Sequence, residues 1–124
     1  MKENNKLGLS ILECLASFQE QVNENPKMKT LLKNWEPVIL VESNDSDNKY
    51  FLTVKETKIV SIQKNHGEDI KHLIHLRASS ESIVLVFSGK LNPAKAFLDG
   101  TLEVFAPDKD QIKLDAISLV LWGT

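Results

Sequence analysis

His66, His72 and His75 are the side chains of this 124-residue chain best suited to acid–base work or zinc ligation, because imidazole titrates near neutrality and binds metals. Their spacing argues against a shared site. Residues 70–78 alternate Ile70, His72, Ile74 and Leu76 against Lys71, Leu73, His75 and Arg77, which is the pattern of a half-exposed strand. Residues three apart on a strand point to opposite faces, so His72 and His75 are expected to diverge and no metal is expected. Cys14 stands beside Leu12 and Leu15 in a helical pattern with no histidine near it in sequence; it reads as a packed thiol, not a nucleophile. No serine sits in a Gly-x-Ser-x-Gly elbow, and no glycine-rich phosphate loop or dinucleotide fingerprint occurs. The expectation is a non-catalytic protein without a cofactor. Asp108 and Asp110 fall where they complement the dipole of a final helix, and capping accounts for them and for Asp115. Lys27, Lys29 and Lys33 flank Leu31 and Leu32 as a solvated helix face, with contact to anionic lipid head groups at an apolar entrance as the alternative.

The overall balance narrows the classes. A formal net charge of −2 offers no broad attraction for nucleic acid, whose binding rests on neutralised phosphates. An apolar fraction of 42% with 26% charged residues is that of a folded globular chain, and the length fits one domain over residues 1–124. The single cysteine cannot close an internal disulfide, and residues 1–6 are too polar for a secretory signal, so a cytoplasmic location is expected. No apolar run approaches the roughly 20 residues that span a bilayer.

Those side chains must be positioned by elements that the periodicity reveals. Leu7, Ile11, Leu15, Phe18 and Val22 recur every three or four residues, with Leu12 and Ala16 widening the stripe, and predict a helix over about 7–22. Asn25-Pro26 breaks it, and Met28, Leu31, Leu32 and Trp35 suggest a second helical segment before Pro37. The period then changes to that of strands at residues 38–41, 50–54, 59–62 and 70–78, with a polar hairpin loop over 43–48. Residues 81–89 read either way: Ile83, Val84 and Val86 favour a strand, whereas Ser79 and Ser80 as caps and Gly89 as a stop favour a helix. Asn92 and Pro93 open a short helix that Gly100 ends, and residues 101–105 form a fifth strand. Asp108 with Gln111 resembles a capping box for a last helix whose stripe is Ile112, Ala116, Ile117, Val120 and Leu121. Helices with a predominantly antiparallel sheet make the class α+β.

The run Gly89-Lys90-Leu91, Pro93, Ala96-Phe97, Gly100 and Leu102-Glu103-Val104 resembles the sterol carrier protein type 2 family in both residue types and spacing. The resemblance extends over residues 30–122, although Ala106-Pro107 stands where family members often have a further glycine. It implies a five-stranded, mostly antiparallel sheet with helices on one face, and an apolar tunnel that accepts fatty acyl chains, acyl-CoA or sterols. It also implies that 81–89 is helical. The apolar positions expected to face such a tunnel are Ile83, Phe87, Phe97, Leu102, Val104, Ile117, Leu121 and Trp122, with plain core as the alternative for each. Burying roughly ten methylenes at about 0.8 kcal/mol each, less the cost of association, gives micromolar or weaker affinity and broad specificity. A lipid partner, transient contact with a membrane surface, and a monomer or homodimer follow from this reading. Two rivals are an interaction module with a filled core and a thioester hydrolase using His72 or His75 as base. The closing residues Leu121-Trp122-Gly123-Thr124 do not resemble the peroxisomal tripeptide of eukaryotic members.

Overall fold

The computed structural model describes residues 2–123. Helix α1 spans Lys2–Glu24 and buries Ile11, Leu15, Phe18 and Val22 as their spacing predicts, but the stripe is narrower than expected because Leu12 and Ala16 are exposed; the side chain of Leu7 lies outside the described residues. Helix α2 is a single turn, Met28–Leu31, and stops well short of Trp35. The chain then enters strand β1 at Val38–Ser43, β2 at Lys49–Lys55 and β3 at Lys58–Lys64. The β2–β3 turn places both Glu56 and Thr57 at positive φ, the geometry of the tightest hairpins. The side chain of α1 residue Asn23 accepts from the Ile59 backbone N–H at 2.8 Å and donates to its carbonyl at 3.0 Å, which fixes α1 onto β3 beside a register shift at Thr53 and Val54.

Strand β4 covers Ile74–Ala78, four residues less than the alternation predicts. It pairs parallel to β1, whose own run opens at Val38, so residues 70–73 have no strand beside them; only Leu73 N–H reaches the Val38 carbonyl, at 3.1 Å. Helix α3 spans Ser80–Phe87, helix α4 Pro93–Leu98, strand β5 Glu103–Phe105 and helix α5 Asp108–Trp122. The segment that read either way is therefore helical, capped by Ser79 and ended by Gly89 at φ +77°. Strand β5 begins two residues late because Leu102 N–H is spent on the Ala96 carbonyl, which closes α4.

The sheet order is β3-β2-β1-β4-β5, with one parallel pair, β1 and β4, among antiparallel ones. Ile39, Val41, Leu52, Ile74 and Leu76 face the helices and are buried. The capping box expected at α5 does not form. Pro107 occupies the cap position, Gln111 donates to the Ala106 carbonyl, and Asp110, 2% exposed, accepts from the Trp35 indole at 2.8 Å. The stripe also differs: Ile117 is buried, but Ile112 is 68% exposed, so the inner face of α5 runs through Asp110, Ile117 and Ser118.

The loop between β1 and β2 is tied to the start of α3 by one carboxylate. Asp45 Oδ1 accepts from Ser43 Oγ at 2.7 Å, Ser80 Oγ at 2.7 Å and Ser80 N–H at 3.1 Å. These hydrogen bonds hold the Asp45 carboxyl below its usual range. Its folded value is thus depressed, so its stabilisation is complete above the ordinary value near about 4 and fades as acid protonates it. Asp45→Ala is expected to cost about 1–2 kcal/mol in urea denaturation at pH 7, and the gap from the parent should narrow below about pH 4. An equal gap at both pH values would show that the carboxylate charge plays no part.

Candidate functional site

A cavity of about 470 Å³ opens between α3, α4 and α5 above the β4–β5 end of the sheet. Its floor is Leu76 of β4 and Val104 of β5, and Val86 and Phe87 of α3 close its inner wall. Phe18 of α1 reaches the same wall, its ring 5.1 Å from that of Phe87 and 5.9 Å from that of Trp122. Pro93 starts α4 and Asn92 caps it, accepting from Lys95 N–H at 2.9 Å; that short helix supplies Ala94, Phe97 and Leu98. Phe97 does not point fully inward: it is 41% exposed, and with Leu98 and Ile112 it forms an apolar mouth open to solvent.

Six of the residues singled out from sequence meet at this cavity: Phe87, Phe97, Leu102, Val104, Ile117 and Trp122. Ile83 instead packs in the core at 2% exposure, and Leu121 lies half-buried against the core away from the wall. Sequence reasoning missed Phe18, Leu76, Val86 and Leu114, all apolar positions. It also missed the polar side of the wall, Asp108, Gln111, Asp115 and Ser118, which α5 presents at helical spacing. Burial pushes the Asp115 carboxyl up. Among the described residues that line the cavity there is no lysine, arginine, histidine or cysteine.

His72 and His75 lie across the sheet from it, and His66 is in the loop that follows β3. His75 alternates with the helix-facing Ile74 and Leu76, and its Nε2 meets Glu42 Oε1 at 2.7 Å. His72 and His75 do not diverge as the strand pattern predicts. Because residue 72 precedes β4, its ring is free to turn back and rests 5.6 Å from that of His75. Even so, among the described residues no three metal-ligating side chains come together. Burial works to raise the Glu42 carboxyl, but hydrogen bonds from His75 and Lys49 outweigh it and bring the carboxyl below its usual value. With Arg77 bonded to Glu103 at 2.9 Å, this face is a row of ion pairs.

Cys14 donates its thiol to the Val84 carbonyl at 3.6 Å, and burial pushes its pKa up to about 11. At pH 8 its thiolate fraction is then about a hundredth of that of an ordinary thiol, so Ellman's reagent should label it about a hundredfold more slowly than it labels the unfolded chain. Equal rates would place the sulfur in solvent.

Residues 15–105 match the SCP-2 sterol transfer family. No curated protein matches the sequence. Among solved structures, the fold is similar to the sterol carrier protein domain 2 of Helicoverpa armigera, with a TM-score of 0.74 at 22% identity over 93% of this chain and 90% of that one. It is similar also to palmitated SCP2L2 from Aedes aegypti, with a TM-score of 0.59 at 14% identity over 88% and 91%. A third similarity is to the sec-alkylsulfatase Pisa1 from Pseudomonas sp., with a TM-score of 0.53 at 16% identity over 70% of this chain and 13% of that one. Among the described residues no helix is long and apolar enough to cross a membrane.

Proposed function

The chain belongs to the SCP-2 sterol transfer family, and from that premise we propose that it is a non-catalytic lipid-binding domain. It holds one apolar ligand, a fatty acyl chain or a sterol-like body, in the cavity between α3, α4 and α5. The observation that carries this reading is the cavity itself. Its 470 Å³ falls within the roughly 300–1,000 Å³ of small-molecule sites, and its wall is predominantly hydrocarbon. A filled-core interaction module would leave no such space. That a neighbour of this fold is described as palmitated supports a long hydrocarbon chain as the body of the ligand, whatever its head group.

The chemistry of the wall supports binding without turnover. A hydrolase that used His72 or His75 as base finds no support in the wall, since those imidazoles are across the sheet and the one thiol is protonated and outside it; the carboxylates of Asp108 and Asp115 line the cavity with no histidine or cysteine beside them. The exposed apolar mouth, where Leu98 is 83% exposed, suits brief contact with a membrane surface during ligand exchange. Binding is expected at micromolar strength, since the gain from burying a chain is largely offset by association and ordering costs. Titration with the neutral fluorescent probe N-phenylnaphthylamine tests the reading. Saturable enhancement, reversed by an added long-chain lipid, is the expected result; a linear, unsaturable signal would overturn it.

A further inference from the structure

We infer that the cavity selects ligands by head-group charge, accepting lipids with an uncharged hydroxyl head and disfavouring those that end in a carboxylate or phosphate. The inference rests on the lipid-binding reading and adds the class of ligand to it.

The polar groups of the wall all come from one side of α5. Asp108 and Asp115 are seven residues apart, two turns of helix or about 10 Å, with Gln111 and Ile112 between them and Ser118 one turn further in. An apolar body seated against Val104, Leu102 and Phe87 with its head toward α5 meets two carboxylates. The Gln111 amide donates one of its two N–H groups to the Ala106 carbonyl at 3.0 Å, and what remains is a neutral donor that does not offset the two carboxylates. The positive end of the α5 dipole is already met by Asp108 and Asp110 in its first turn.

No lysine is among the described residues that line the cavity. Lys109 and Lys113 of α5 instead border a separate hollow with Leu31 and Trp35, where Lys113 donates to the Leu31 carbonyl at 2.8 Å. Asp108 and Asp115 both stand exposed at the mouth, so they repel an anionic head through solvent and most strongly at low salt. A hydroxyl head reverses the sign of the interaction, because it donates a charge-assisted hydrogen bond to either carboxylate.

The test compares two ligands of equal chain length, dodecanol and dodecanoate, as displacers of N-phenylnaphthylamine at pH 7.5 and low salt, each below its aggregation limit. The expected result is an affinity for the alcohol about tenfold or more above that for the carboxylate. Added salt should narrow the ratio. The near-isosteric pair D108N and D115N, combined, should bring it close to one by raising dodecanoate affinity. Dodecanoate binding as well as the alcohol does, or a ratio that the double variant leaves unchanged, would overturn the inference while leaving lipid binding intact. Failure of both ligands to displace the probe, or of the probe to bind, would overturn the lipid-binding reading and this inference together. Should the double variant unfold, the parent's ratio and its salt dependence decide alone.

Discussion

Val104→Trp is expected to leave the protein folded and to weaken lipid binding about a hundredfold or more. Val104 stands half-buried on β5, with its side chain in the floor of the cavity and its backbone paired to Leu76. Aromatic residues are well accepted on strands, and an indole here has empty space to enter instead of a packed neighbour to displace. The fold should therefore tolerate the change. The ligand loses what the indole occupies: excluding even four methylenes at about 0.8 kcal/mol each removes about 3 kcal/mol, which is more than a hundredfold in affinity. Probe titration and urea denaturation on the same sample separate the two effects. Unchanged affinity in a folded variant would place the ligand elsewhere.

A second large effect is expected at Gly89. Its φ of +77° is costly for any residue with a Cβ, and a Cβ built there would lie 2.5 Å from Trp122 Cγ and under 3 Å from two further ring atoms. The ring cannot readily yield. Its N–H is bonded to Gln21 Oε1 at 3.0 Å, and its face rests near Phe18. Gly89→Ala should cost about 3 kcal/mol, the sum of a left-handed backbone and an overpacked contact, out of a total stability of about 5–15 kcal/mol. Gly100→Ala is the matched comparison: φ is +82°, but nothing lies within 4 Å of the added carbon, so about 1 kcal/mol is expected. Urea midpoints of the two variants measure the difference. Equal losses would mean that Trp122 does not pack tightly on the α3 stop. Because Trp122 also lines the cavity, the Gly89 variant should bind the probe more weakly even where it remains folded.

The elements were legible where local chemistry and burial agree. In α1 the three-and-four spacing of Ile11, Leu15, Phe18 and Val22 matches what is buried, whereas α3 is open on its residues alone, with Ile83, Val84 and Val86 favouring a strand and Ser79 with Gly89 a helix, and only the family resemblance implies the helix that forms. The misreadings have a common physical origin in partners distant along the chain. Alternation at residues 70–73 continues into β4, but a strand needs a neighbour, and β1 opens only at Val38. Asp110 in the first turn of α5 reads as a dipole partner, yet it is buried because Trp35, 75 residues earlier, seals it with an indole hydrogen bond.

The cavity was legible only as its lining. Ile83 and Phe87 sit one turn apart on α3 and present the same apolar signal, but Phe87 borders empty space and Ile83 is packed solid. Which of them meets a void depends on how far α4 and α5 stand from α3, a distance that hydrophobic periodicity does not encode. Asp108 and Asp115 were readable as helix-surface charges. Their position at the mouth follows from the orientation of α5 on the sheet.

The most direct measurement is native mass spectrometry of the freshly purified protein before and after extraction with organic solvent. The account predicts a 1:1 adduct of lipid mass that extraction removes and that returns when the delipidated protein is incubated with long-chain lipid. A bare chain that takes up no lipid after extraction and incubation would contradict it, and would mean that the cavity closes in solution.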